Sequence, residues 1–307
     1  MSATDQHDLR NAYRYPGKGH WFDFWNCRVL LPEKNLWYFI MIHINSEEGK
    51  TKPYFYYGSS KTNEVIRHNL NDKIQASTRG SGVRWAQNIF SPGKIDIQAD
   101  GYHWNFNIQR ICSDGTDFNV EKRIFDVGEK LLLRNNSFVH HVPTMKGLAK
   151  GYIKTPNEDI QLENALVYQA KNHGKDFPKE WMWLHVNHMP QFPDSSFEIG
   201  LIPGRNFDTG IFRWTNKTET KVYATYLGDS VFFKEKDNIF VFKVLDSAQN
   251  VVLRGSANHG EKKIIEFPTP SNNTFETPES FNGYVSGYFQ GDFFESEFPA
   301  LGKGIKK

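Results

Sequence analysis

Over most of this chain apolar and polar side chains alternate with a period of two, and the 3.6-residue period of a helix is scarce. That property commits the chain to sheets, because a strand sends successive side chains to opposite faces. Residues 21–31 and 37–45 read as two strands. Pro32-Glu33-Lys34-Asn35 between them is turn chemistry, so the pair predicts a hairpin. Further strands are predicted at 53–57, 94–98, 102–112, 119–127, 129–134, 148–155 and 160–166. From 167 to 180 the pattern breaks into a polar stretch with Gly174 and Pro178, where a boundary is expected. Nine more strands follow, at 181–188, 196–201, 210–214, 221–227, 230–233, 239–245, 251–256, 262–267 and 283–289. Short helices are predicted at 62–70 and, as the alternative to a strand, at 162–172. Two runs of short strands with regular turns predict an all-β chain of two barrel-like halves, residues 1–172 and 173–307.

Two stretches mix bulky rings with ionisable or amide groups at every second position. His20-Trp21-Phe22-Asp23-Phe24-Trp25 is one, and Trp181-Met182-Trp183-Leu184-His185-Val186-Asn187 is the other. The second places Trp181, Trp183, His185 and Asn187 on one strand face, greasy and hydrogen-bonding at once, which suits the wall of a pocket for a large apolar molecule. Aromatic residues make up 15% of the chain, consistent with a wide sheet interior.

Other classes are excluded. A net charge of +2, with no basic tract interleaved with aromatics, argues against a nucleic-acid partner. Cys27 and Cys112 are too few for a disulfide framework and too far apart for a zinc motif, so both read as free thiols. His185/His188 and His140/His141 have odd gaps, which on a strand put the rings on opposite faces, so no metal site is expected. Phosphate-binding loops and the Gly-x-Ser-x-Gly elbow are absent, and no cofactor is implied. The longest apolar run, 36–44, is interrupted by His43 and is far shorter than a bilayer span. With no leader-like N-terminus, the expectation is a soluble cytoplasmic protein without an integral membrane segment. Peripheral membrane contact is compatible with a lipid substrate.

Asp23 has two readings. It pairs with an arginine such as Arg28 or Arg110, or it is desolvated between Trp21 and Trp25 and held protonated as an acid. His185 is either a satisfied core histidine or a proton donor, and Asn187 is placed to hold a carbonyl or phenol. Trp25, Trp181 and Trp183 serve as core packing or as a π-rich wall that stabilises a carbocation. His43 is a further candidate for substrate binding. Tyr284 and Tyr288 alternate with Ser286 on one face near the C-terminus and are candidates to offer hydroxyls to a cavity.

Asp23-Phe24-Trp25, Val29-Leu30-Leu31-Pro32-Glu33-Lys34 and Trp37-Tyr38-Phe39-Ile40-Met41 together resemble the start of the tocopherol cyclase family. The stretch from Glu163 through Tyr168, Lys171-Asn172-His173-Gly174 and Phe177-Pro178 to Trp181-Met182-Trp183 and Asn187 is similar to a second segment of that family. The resemblance implies two lipocalin-like β-barrels in tandem with a cavity near their junction. It also implies a cofactor-independent cyclase or isomerase acting on a prenylated or polyene substrate. His173 stands where the family tends to have Trp, and His185 where it tends to have Gln. On that reading Asp23 or His185 protonates an alkene, the indoles shield the cation and Asn187 positions the nucleophile. A pericyclic catalyst of the Diels–Alderase kind and a non-catalytic carrier of an apolar ligand are the alternatives.

Overall fold

The computed structural model describes residues 19–62, 65–70, 74–76, 82–99, 101–112, 138–204, 208–268 and 274–306. The chain divides into two compact units, the first running to Asp176 and the second beginning at Phe177. Each is built from antiparallel strands, and the only helical turns among the described residues are two short 3-10 segments, Pro32–Lys34 and Thr225–Leu227. The architecture is all-β, in two lipocalin-like halves.

The first unit holds β1 (His20–Leu31), β2 (Leu36–Glu47), β3 (Lys50–Ser59), β4 (Ile66–Asn69), β5 (Ile74–Ala76), β6 (Val83–Trp85), β7 (Asn88–Phe90), β8 (Lys94–Ala99), β9 (Tyr102–Cys112), β10 (Phe138–Lys154) and β11 (Asp159–Gly174). They form one eleven-stranded sheet in the order β4-β3-β2-β1-β11-β10-β9-β8-β7-β6-β5. The β1–β2 hairpin closes as its turn residues require. Asn35 takes the left-handed conformation at φ 50°, and its N–H returns to the Pro32 carbonyl at 3.0 Å. The sheet curls on itself. Phe55 of β3 lies 6.2 Å from Trp85 of β6 and 5.6 Å from Trp104 of β9, ring centre to ring centre, although these strands are far apart in the sheet order. The enclosed core takes the odd-numbered residues of β1, namely Trp25, Cys27, Val29 and Leu31, and the even-numbered ones of β2, namely Tyr38, Ile40, Ile42 and Ile44.

The second unit holds β12 (Glu180–Val186), β13 (Ser196–Ile202), β14 (Thr209–Thr215), β15 (Thr220–Ala224), β16 (Ser230–Lys236), β17 (Ile239–Leu245), β18 (Val251–His259), β19 (Lys262–Pro268), β20 (Thr274–Ser280), β21 (Gly283–Phe289), β22 (Asp292–Ser296) and β23 (Ala300–Lys306). Seven strands form one sheet, β15-β14-β13-β12-β23-β20-β19, and five form another, β16-β17-β18-β21-β22. Aromatic rings join the two sheets. Phe197 of β13 packs 5.2 Å from Phe294 of β22, and Trp214 of β14 stacks on Phe289 of β21 at 4.0 Å and 9°. Met182, Leu184 and Val186 of β12 point into this core.

Several expectations change. Residues 66–69 form a strand and not a helix, because pairing with β3 and the stacking of His68 on Tyr57 at 5.5 Å outweigh a weak helical period. Residues 162–172 take the strand alternative as part of β11. That strand continues to Gly174, through part of the stretch where the alternation fails. β20, β22 and β23 are strands that the periodicity does not announce. The predicted strands at 119–127 and 129–134 lie outside the described residues. Both cysteines are free and buried, and burial pushes the Cys27 thiol far up from its ordinary range.

Candidate functional site

The strand parity of the first unit turns a polar cluster inward at one end of its core. Asp23 precedes Trp25 along the inward face of β1, and across to β11 these two residues stand opposite His173 and Lys171. The Lys171 ammonium lies 2.8 Å from Asp23 Oδ1, with both side chains fully buried. Trp21 Nε1–H donates to Asp23 Oδ2 at 2.8 Å. The same ammonium sits 4.9 Å from the centre of the Trp25 ring, so ion pair and cation–π contact share one cation. His173 packs 5.8 Å from Trp21 and stacks on His141 at 5.5 Å. Two residues further on, Thr144 Oγ1 donates to Gln169 Oε1 at 2.9 Å, and Gln169 Nε2 donates to the Ser91 carbonyl at 3.0 Å. Register shifts in β10 between His141 and Thr144, and between Thr144 and Gly147, aim these side chains inward. An ammonium and an indole N–H both favour the ionised carboxylate. Asp23 pairs with Lys171, while Arg28 lies on the opposite face of β1 and Arg110 Nη1 reaches the Pro143 carbonyl at 3.5 Å.

His43 is fully buried on the other face of β2, away from Asp23 and Trp25. The Phe22, Phe24, Tyr54 and Tyr56 rings surround it at about 6 Å. Burial drives its pKa down to about 3, against the pull of a hydrogen bond with the Asn45 side chain, so the imidazole is neutral.

In the second unit Trp181, Trp183 and His185 share the face of β12 that points away from the core cluster. His185 is fully buried and stacks on Trp183 at 6.2 Å and 11°, while both indoles stay half-buried. Ser196 Oγ donates its single proton to the Val186 carbonyl at 2.9 Å. The 3.0 Å contact between Ser196 Oγ and His185 Nε2 is therefore donated by Nε2–H. Beside it, Arg213 Nη1 meets Glu198 Oε1 at 3.3 Å, both buried. Asn187, just past the end of β12, is 1% exposed, and neither polar atom of its amide has a hydrogen-bond partner among the described residues.

This face extends over β23 and β20. Gly302 stands opposite Trp183 on one side and Glu279 on the other. A methyl group at Gly302 would lie 3.1 Å from the Trp181 ring and 3.3 Å from Glu279 Cγ, and one at Gly304 would collide with the Trp181 and Phe275 rings. The two glycines thus form a floor on which the Trp181 indole lies, edged by Phe275 and Glu279. Thr277, two residues before Glu279 on the same face, is fully buried, and its hydroxyl has no partner among the described residues. Burial raises the Glu279 pKa to about 8, and no ion pair reaches it among the described residues. Lys263, opposite it on β19, holds its ammonium 2.6 Å from Glu261.

Tyr284 and Tyr288 lie on the solvent face of β21, 41% and 43% exposed, because Val285 and Phe289 take the core parity. Tyr284 Oη donates to Glu295 at 2.6 Å, and Tyr288 packs 5.6 Å from Phe293. No group of three or more His, Cys, Asp or Glu among the described residues could hold a metal ion, and no described helix is long and apolar enough to cross a membrane.

Lys171 escapes sequence reasoning as a partner for Asp23 because it sits in the polar stretch read as a break, and His141 and His173, weighed there for a metal and for a departure from the family, are not foreseen beside Asp23. Glu279 and Thr277 escape it because Pro278 argues against a strand at 274–280. The signal available was the alternation of Phe275, Thr277 and Glu279.

The fold is that of lipocalin-like solved structures. A crystal structure described as AttH, from Nitrosomonas europaea, superposes with a TM-score of 0.56 at 10% identity, covering 96% of this chain and 97% of that one. Kievitone hydratase from Nectria haematococca gives 0.52 at 11% identity, covering 100% and 96%. The tocopherol cyclase-like family model matches residues 59–205, bearing out the resemblance read from the sequence. Over 55 residues the chain is 40% identical to the chloroplastic tocopherol cyclase of Zea mays, and 38% identical to a probable one from Oryza sativa subsp. japonica. Each alignment covers 18% of this chain and spans only 11% of the plant protein's length. The family match takes in Lys171, His173 and the strip from Trp181 to Asn187, and leaves Asp23, Trp25 and Glu279 outside.

Proposed function

We propose that this chain is a cofactor-independent cyclase or isomerase acting on a prenylated or polyene substrate by acid-initiated ring closure, with its reacting face on the second unit. The observation that carries this reading is the strip on β12. Two indoles remain partly open beside a buried histidine and a buried amide that has no partner among the described residues. A self-contained core would satisfy that amide, since an unpaired buried polar group costs about 1–3 kcal/mol. A phenolic or carbonyl oxygen bound against Asn187 supplies the missing partner. Trp181 and Trp183 would shield the cation formed when an alkene is protonated, and His185 Nδ1 would receive the phenol proton as the oxygen closes the ring. The Asp23–Lys171 pair, saturated by its own neighbours, serves instead to hold the first unit's interior together.

Incubating the purified protein with a prenylated hydroquinone in D₂O tests the reading. The expected product is the cyclised ether with one deuteron on the former alkene. Failure to turn over any prenyl phenol or polyene, with the ligand recovered intact, would leave the chain a carrier.

A further inference from the structure

From the packing of β20 against β23 we infer that Glu279 is the acid that starts the reaction, presented as a neutral carboxyl beside the Trp181 indole, with Thr277 as the hydroxyl that orients the substrate next to it. This rests on the reading above and names the proton source within it.

Three geometric facts converge on this position. First, Gly302 and Gly304 remove two side chains from β23, so Glu279 Cγ and the Trp181 ring approach the same bare backbone. A carboxyl edging an indole is placed to hand a proton to an alkene lying on that ring and then to leave the cation against the π face. Second, Thr277 is fully buried on the same side of β20, and its hydroxyl, without a partner among the described residues, is a group that a ligand oxygen would satisfy. Third, the cations nearby are engaged elsewhere. Lys263, directly opposite Glu279, holds Glu261 at 2.6 Å, and Arg213, on the same face, holds Glu198 at 3.3 Å. β23 contributes only glycine at this register, and β12 contributes the two indoles and His185. Nothing on these elements draws Glu279 into ionisation, and burial raises its pKa to about 8. Asp23 shows the contrast, since it is paired with Lys171 and held as a carboxylate.

The step balances without a co-reactant. The Glu279 O–H bond breaks as a C–H bond forms at the alkene, and the carboxylate keeps the electron pair. The phenol oxygen then bonds to the cationic carbon, and its proton passes to His185. Exchange with water returns a proton to the half-buried Glu279 and removes one from the imidazolium, so the net reaction is an isomerisation.

The test is made on the full-length protein and has two arms. Infrared difference spectra between wild type and Glu279→Gln, taken across a pH series, are expected to show a protonated carboxyl at neutral pH that titrates away near about 8. Turnover of a prenylated hydroquinone is expected to fall about 100-fold or more in kcat for Glu279→Gln, with KM changed little and partial recovery in Glu279→Asp. An ionised Glu279 at neutral pH overturns the inference whatever the substrate. So does an active wild type whose kcat survives Glu279→Gln. If wild type itself turns over no prenyl phenol or polyene, the cyclase reading falls and this role falls with it, even where the carboxyl proves protonated.

Discussion

The strips Trp21-x-Asp23-x-Trp25 and Trp181-x-Trp183-x-His185 are written in the same pattern and end in opposite places. In the first unit the strip shares its strand parity with Cys27, Val29 and Leu31 and lies inside the curled sheet. In the second, the core is taken by Met182, Leu184 and Val186, and the strip occupies the other face. The charge state differs accordingly. Asp23 is inward, paired and fully buried, while Glu279, beside the second strip, is half-buried and without an ion pair. An acidic group among indoles is thus ion-paired in one unit and left without an ion pair in the other, depending on whether the cation on its face bonds it or another carboxylate.

Substitution at the first strip is expected to have the largest effect. Asp23→Asn leaves the Lys171 ammonium buried without its counter-charge and should cost about 3–5 kcal/mol in denaturant unfolding. Adding Lys171→Met to that variant should restore much of the loss. A fully stable Asp23→Asn protein that has lost only turnover would move the chemistry to the first unit and end the contrast.

The second strip should respond in activity before stability. Trp181→Ala and Trp183→Ala are each expected to lower turnover of a prenylated hydroquinone about tenfold or more through the lost cation–π contact. Their unfolding midpoints should shift less than that of Asp23→Asn. Equal losses in both assays would make these indoles ordinary packing.

Opposite pH dependences sharpen the comparison further. His43 in the first unit has its folded pKa depressed to about 3 from 6.5. The unfolded chain binds that proton first, so stability is present above about 6.5 and is lost as pH falls toward about 3. Glu279 in the second unit is raised from 4.5 to about 8. Its contribution is complete below about 4.5 and is lost as pH rises through about 8. Thermal unfolding across pH should lose acid-side slope in His43→Phe and alkaline-side slope in Glu279→Gln. Exchanged slopes would reverse the assignment.

The smallest effect is expected at Tyr288, on the solvent face of β21. Tyr288→Ser should change stability by about 0.5 kcal/mol or less and leave turnover unaltered. A clear loss of turnover would extend the site to that face.

Much of the architecture was legible in the alternation. The strands Tyr102–Cys112, Ile239–Leu245 and Gly283–Phe289 run where the period of two places them, and the Pro32–Asn35 turn joins the hairpin it predicts. Part of the stretch read as a break between halves is instead strand. Gln169, Lys171 and His173 alternate with Ala170 and Asn172 in β11, but the inward residues are polar because Gln169 bonds Thr144, Lys171 bonds Asp23 and His173 packs on Trp21 and His141. An interior that satisfies its own polar groups looks, in one dimension, like a loop. The residues around Glu279 were illegible for a different reason. Their contacts join β12 to β20 and β23, which lie about a hundred residues further along the chain and meet it only through the sheet order.

Alternation by itself determined that this chain makes sheets, that its rings fall on shared faces, and which side chains accompany one another along a strand. It is symmetric between the two faces, however, and carries no sign for the one that becomes core. Only the curl of one sheet and the stacking of two others decided that, because burial follows from which surface meets another. The same tertiary pairing brought Lys171 to Asp23 and left Glu279 over a glycine floor with the lysine opposite it bonded to Glu261, and so decided which carboxyl is ion-paired.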